Sequence, residues 1–407
     1  VRSEAAVTGL GLVTPAGHTA SANWEALCRG RSLAATDPEL AGLPIDFSCQ
    51  VRDLDVDGEL GRSRARRTDR FIQFALIAAR RAVADAGLDP SSWRGERIGV
   101  ILGVGSNSLS SYVDEFRRLG AGKPERVSPL ALPRSVPNMA ASEVAIDLGV
   151  RGPNFTTSSA CASGATAIGV ARDLLRSGTC DIVLAGGSES ARSRMATTCF
   201  TRMRALSRRR EQPALACRPF DAERDGMVLG EGAAVLVLER PAAARARRAR
   251  VLALLRGYGA GSDAYHPVAP HPGGEGAARA VSAALADAGC GPRDIGLVNA
   301  HGTATVLGDA SEAAALTRVF GADAPPVTAS KGVIGHTLGA AGAVQAAYTV
   351  LALRHGAVPP VANFAHQEGD HKLDIVAGHP RATAAEAGIS CSFGFGGQNA
   401  VLLFTAP

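Results

Sequence analysis

Short apolar runs bounded by glycine recur along the chain: AAVTGLGLV near the start, then VILGVG, DIVLAGG, AAVLVLE, IGLVNA and AVLLF. They are apolar at consecutive positions rather than alternate ones, which suits strands buried on both faces of a sheet and covered by helices. Between them lie alanine-rich stretches with helical character, at 71–86, after Cys161, at 276–288 and from Gly339 onward. This alternation predicts an α/β protein with helices layered on sheets.

The same pattern occurs twice. ADAG at 84–87 ends one helical stretch and is followed by IGVILGVG from Ile98; ADAG at 286–289 ends another and is followed by IGLVNAHG from Ile295. In the same order, ASGATAIGVARDLLRSG after Cys161 is matched by GAAGAVQAAYTVLALRHG from Gly339, and GEGAAVLVLE from Gly230 by GGQNAVLLF from Gly396. Three matched pairs in one order predict a duplication. The halves are 1–250 and 251–407, meeting after the arginine-rich AAARARRAR at 242–250, which reads as a solvated helix and linker.

Composition narrows the class. The 407 residues are 46% hydrophobic and 20% charged, which is globular and leaves material for a large core. The 47 glycines and 22 prolines are scattered without period, excluding collagen-like and disordered readings. No apolar run approaches the roughly 18 to 20 residues of a membrane-spanning helix, and no signal-peptide pattern is present. Eight cysteines without paired short spacings predict reduced thiols in a cytoplasmic enzyme. A net charge of +5 is too mild to indicate nucleic acid. Lysine occurs only at 123, 331 and 372, so Lys331 stands out against an arginine background.

Four clusters could carry chemistry. In NFTTSSACASGATAIGV, Cys161 sits among small residues just before a helix, where the helix dipole favours thiolate and a substrate can approach closely. In NAHGTATVLGDASEAAAL, His301 leaves a buried strand at the end where α/β proteins place ligands; Thr303 and Thr305 follow at alternate positions, and Asp309 and Glu312 open the next helix. In SKGVIGHTLGAAGA, Lys331 and the glycine-framed His336 occupy the place in the second half that Cys161 holds in the first. The fourth cluster, SCSFGFGGQNAVLLF, reads as a glycine-rich turn entering the final strand, a poor phosphate cradle because no helix follows it. Metal binding competes for the two histidines. They lack the i, i+4 spacing of common zinc motifs, and no third ligand is apparent.

Taken together, these motifs resemble the elongating Cys-His-His β-ketoacyl-acyl-carrier-protein synthases of the thiolase superfamily, of the fatty-acid or type II polyketide kind. The likeness runs from VTGLGLVTPAG through DAERDGMVLGEGA to the final strand. It implies a duplicated five-layered α-β-α-β-α fold, each half giving one central sheet, and a decarboxylative Claisen condensation. Cys161 would be the acylated nucleophile, with His301 and His336 as donors to the enolate. Lys331 and Glu312 would support the histidines. The N–H groups of Cys161 and Phe395 would form the thioester oxyanion hole, with Phe395 as gate, and Thr303 and Thr305 would bind the pantetheine arm.

The resemblance implies no metal or organic cofactor. The partners implied are an acyl-carrier protein and a second subunit, identical or chain-length-factor-like. The acyl pocket would involve Ser106, Asn107, Ser108, Ala131 and Phe200, with Leu130 beside it, and all of these but Phe200 depart from the fatty-acid pattern. Carrier docking would fall to Arg62, Arg66, Arg67, Arg70 and Arg204. A non-decarboxylating thiolase would need a second cysteine in the C-terminal turn, which presents Phe393, Gly394 and Phe395, with Cys391 nearby. Initiating synthases carry asparagine at the position of His336. The alternative function, a non-catalytic chain-length-factor subunit, would lack Cys161.

Overall fold

The computed structural model describes residues 4–106, 109–321, 324–367 and 369–407. The core elements of the chain first run β1 (Ala5–Val13), α1 (Arg70–Asp85), β2 (Ile98–Gly103), α2 (Met139–Leu148), β3 (Asn154–Thr157), α3 (Ser163–Arg176), β4 (Ile182–Ser190) and β5 (Glu231–Glu239), with shorter or peripheral elements between them. The chain then repeats that order as β6 (Ala253–Ser262), α4 (Glu275–Ala288), β7 (Leu297–Asn299), α5 (Val306–Phe320), β8 (Val327–Thr328), α6 (Ala341–His355), β9 (Ala387–Gly394) and β10 (Gln398–Thr405). In space the strands lie β8-β7-β9-β10-β6-β1-β5-β4-β2-β3. Each strand of the first run therefore holds the same place as the strand five later in the second.

Three apolar cores separate the layers. The first lies between α1 with α2 and one face of the N-terminal strands, and includes Ala233, Val235 and Val237 of β5. The central core holds α3 and α6 and takes the other faces, Leu236 and Leu238 of β5 and Leu402 and Phe404 of β10. The third lies under α4 and α5 and takes Val401 and Leu403. Alternate residues of one strand thus enter different cores, which is why these strands are apolar at every position. The α6 helix is buried along nearly its whole length, as a helix apolar on all sides must be.

Two details differ from the sequence expectation. The sheets of the two halves are not separate, because Ala5–Val7 of β1 pair antiparallel with Ala253–Leu255 of β6. And SCSFG is not a turn: it completes β9, and the turn is confined to Phe395–Gly397. The β6 strand escaped the apolar-run criterion because glycines stand in place of side chains. A Cβ on Gly257 would come within 2.3 Å of the Ala284 carbonyl, so glycine lets α4 lie directly on the strand. Among the described residues no helix is long and apolar enough to cross a membrane.

Candidate active site

Cys161 lies in a tight turn, Ala160–Ala162, between the end of β3 and the start of α3. Ala160 carries φ of 49°, a region that residues with a Cβ enter at a cost, and this places the thiol at the junction of the two halves. The Ser163 hydroxyl holds the turn, donating to Ala160 O at 2.6 Å and accepting from Ser159 N at 2.9 Å. The N–H groups of Phe395 and of Cys161 itself both favour the charged sulfur. Burial nevertheless pushes the thiol up to about 11, against the pull of Lys331 and these N–H groups. The helix N-terminus alone suggested thiolate; desolvation overrides it, and the resting group is the thiol.

His301 follows β7, and His336 lies beyond the short helix Lys331–Ile334. The Cys161 sulfur and one ring nitrogen of each histidine lie within 4.8 Å of one another. The two rings meet edge-on with centroids 5.4 Å apart. Burial, followed by the Lys331 cation, holds both histidines well below their ordinary range, so both are neutral. Their tautomers follow from their partners. His336 Nδ1 accepts from the Leu338 N–H at 3.1 Å, so its proton resides on Nε2, which is buried without a partner. His301 Nδ1 lies 3.3 Å from the Lys331 ammonium and takes the same form.

Lys331 is itself buried, with Nζ 2.5 Å from His301 O and 2.6 Å from Gln345 Oε1. Glu312 accepts from the N–H groups of His301 and Gly302, each at 2.7 Å, and so fixes the loop that carries the histidine. Burial raises the Glu312 carboxyl and lowers the Lys331 ammonium, and the charge of each opposes the shift of the other. Gln345 was not singled out in the sequence. Its Nε2 donates to Ala300 O at 2.6 Å, which turns its carbonyl toward Lys331. The available signal was a lone amide in the otherwise apolar run of α6.

These groups open into a cavity of about 250 Å³ whose walls include Phe200, Arg204, Thr303, Thr305, Phe393 and Phe395. Phe200 and Phe395 meet at 6.1 Å. The hydroxyls of Thr303 and Thr305 are 2.9 Å apart, and that of Thr305 also caps α5 by accepting from Gly308 N.

The fold supplies the third metal-ligand type that the sequence did not reveal, Cys161. The donor set still does not fit a metal. Neutral imidazole binds a metal through one nitrogen while the other donates its N–H to an acceptor. Here the second nitrogens face donors, the Leu338 N–H and the Lys331 ammonium.

Residues 2–244 match "Beta-ketoacyl synthase, N-terminal domain" and residues 252–365 match "Beta-ketoacyl synthase, C-terminal domain". The chain belongs to the β-ketoacyl synthase family. It is 38% identical over 404 residues to the 3-oxoacyl-[acyl-carrier-protein] synthase 2 of Staphylococcus aureus, spanning 98% of this chain and 97% of that one. Two solved structures cover 100% of this chain over 100% of their own. The ishigamide ketosynthase/chain length factor aligns with a TM-score of 0.94 at 33% identity. A ketosynthase bound to a hexaketide, in complex with its type II polyketide acyl-carrier protein, aligns at 0.92 and 29%. The chain is accordingly an acyltransferase of the ketosynthase kind with a thiolase-like fold.

Not every residue picked out in the sequence of this ketosynthase reaches the cavity. Of the acyl-pocket positions, Phe200 lines it, whereas Ser106 and Ala131 do not. Asn107 and Ser108 lie outside the described residues. Ser106 is held instead by the buried Glu189, to which it donates through both N–H and hydroxyl. Cys391 is fully buried within β9 and does not line the cavity.

Among the arginines, Arg204 stands on the cavity wall. Arg62, Arg66 and Arg67 are exposed on a short helix away from it. Arg70 is not available for docking. It makes a bidentate pair with the buried Glu231, both contacts at 2.8 Å, donates to Val51 O, and covers the Phe74 ring. That pair compensates the charge of a carboxylate with no solvent exposure. The neighbouring Arg64 is likewise paired with Asp147.

Proposed function

We propose that this ketosynthase condenses an acyl group held on Cys161 with a malonyl group brought by acyl-carrier protein, in fatty-acid or polyketide synthesis in the cytoplasm. In the first stage the Cys161 sulfur forms a bond to the acyl carbon, and the carrier's pantetheine sulfur leaves with the thiol proton. The thioester oxyanion is received by the N–H groups of Cys161 and Phe395. In the second stage the malonyl carboxylate leaves as carbon dioxide. The resulting enolate, held by the Nε2–H groups of His301 and His336, bonds to the acyl carbon, and the Cys161 C–S bond breaks with its electron pair going to sulfur, which takes a proton from water to restore the thiol.

The observation that carries this reading is the pair of histidine Nε2–H donors converging beside a thiol that has its own N–H pair. A scaffold subunit of the chain-length-factor kind has no use for that arrangement. Glu312 and Lys331 hold His301 in place, Thr303 and Thr305 meet the pantetheine arm, and no metal or organic cofactor takes part. The duplicated units are residues 1–250 and 251–407.

The partner surfaces are proposed on the same footing. β3 is an edge strand, and the apolar residues on and near it are exposed, with Phe155 at 39% and Ile146 at 67%. Such an edge calls for a cover, and we assign it to a second ketosynthase-like subunit, identical or chain-length-factor-like. Given acyl- and malonyl-carrier protein, the purified chain is expected to sediment as a dimer and to form 3-oxoacyl-carrier protein detectable by intact mass. A monomer that forms product contradicts the dimer; release of carbon dioxide without carbon–carbon bond formation contradicts the condensation.

Docking of the acidic carrier falls to Arg62, Arg66, Arg67 and Arg204. Reversing Arg66 and Arg67 to glutamate should raise the KM for acyl-carrier protein about tenfold at low salt, and less as salt screens the contact. A small acyl-pantetheine thioester should be turned over as before. Equal losses on both substrates would show that the patch is structural.

A further inference from the structure

We propose that Glu189 is a positioning residue that joins the loop after β2 to the turn holding His336, linking the acyl side of the site to the decarboxylating histidine. Glu189 lies near the end of β4 and is 2% exposed. Its Oε2 accepts from Gly105 N at 2.7 Å and Ser106 N at 3.1 Å, and its Oε1 from the Ser106 hydroxyl at 3.2 Å. The Gly339 backbone lies against the same carboxylate, and its N–H favours the charged form. The preceding residue, Leu338, supplies the N–H that keeps the His336 proton on Nε2. One carboxylate therefore holds both a loop of the first half and the backbone on which the His336 tautomer depends.

The two segments meet this closely because Gly339 carries no side chain. A Cβ on Gly339 would fall 2.0 Å from Gly105 N and 2.8 Å from Glu189 Oε2. Gly103, just before the loop, lies as closely on Ser163, two residues beyond the nucleophile.

The pairing of Glu189 resembles that of Glu312, which accepts only from N–H groups, and differs from that of three other buried acids. The buried acids Asp37, Glu231 and Glu239 each have an arginine partner, at 2.8, 2.8 and 2.5 Å. Glu189 has no cation partner among the described residues, only N–H groups and a hydroxyl. An acid buried without a cation costs stability and calls for a compensating role. Burial raises it to about 7, and its negative charge opposes ionisation of Cys161. Its charge and its hydrogen bonds thus act on different stages of the reaction, an assignment that rests on the ketosynthase reading above.

Glu189→Gln separates the two effects. The amide keeps an acceptor for the backbone N–H groups and can donate to the Ser106 hydroxyl, but it carries no charge. Alkylation of Cys161 by iodoacetamide at pH 8 should become about threefold faster, because the thiolate is no longer opposed. Decarboxylation of malonyl-carrier protein should become about tenfold slower, because a neutral acceptor holds the Gly339 turn less firmly than a carboxylate. A purely structural role would slow both together or change neither, and either result overturns the proposal. Glu189→Asp carries the test if the glutamine variant unfolds. It keeps the charge but withdraws it from the loop, so decarboxylation should still fall, and an aspartate variant with wild-type decarboxylation also overturns the proposal. Wild-type protein that neither takes an acyl group on Cys161 nor decarboxylates malonyl-carrier protein would instead overturn the ketosynthase reading.

Discussion

Cys161→Ala is expected to lower condensation at least about a thousandfold, since no other thiol can form the acyl-enzyme bond there. Cys49, Cys180, Cys217 and Cys391 are fully buried elsewhere in the core, and none of them lines the cavity. Exposure to acyl-carrier protein followed by intact mass measurement should show one acyl adduct on the wild type and none on the variant. Decarboxylation of malonyl-carrier protein should persist, because the histidine donors do not depend on the sulfur: His336 is oriented by the Leu338 N–H and His301 by Lys331. An adduct retained on the variant would place the nucleophile elsewhere.

The histidines carry the second large effect, and it falls on the other stage. His301→Ala or His336→Ala should slow malonyl decarboxylation by about a hundredfold to a thousandfold, the usual consequence of removing one donor from an oxyanion site. Acyl transfer to Cys161 should change by only a few-fold, since its oxyanion is held by the N–H groups of Cys161 and Phe395. Equal losses in the two stages would refute this division. The same assay has an alkaline limb. Burial pulls Lys331 down to about 8, so as pH rises through that value its ammonium loses the proton it donates toward His301 Nδ1. The His301 proton is then no longer confined to Nε2, and decarboxylation should decline on the alkaline side. Lys331→Met should be slow throughout and lack that limb.

Most of the strands and helices, and the local settings of Cys161, His301, Lys331 and His336, were legible in the sequence itself. Each depends on neighbours in the chain: apolar runs that must be covered on both faces, small residues before a helix, histidines framed by glycine. What only the tertiary structure decided lies between segments far apart in the chain. The N–H of Leu338 and the cation of Lys331 choose which nitrogen each histidine presents, and that choice separates an enolate site from a metal site. Glu231 removes Arg70 from the docking surface across 161 residues, although both arginine and carboxylate are ordinary surface residues when read alone. Glu189 reads as one more polar residue after a strand until folding closes Gly105, Ser106 and Gly339 around it. Hydrogen-bond partners and desolvation depend on what the folded chain places within a few ångströms, and a linear pattern does not contain those distances.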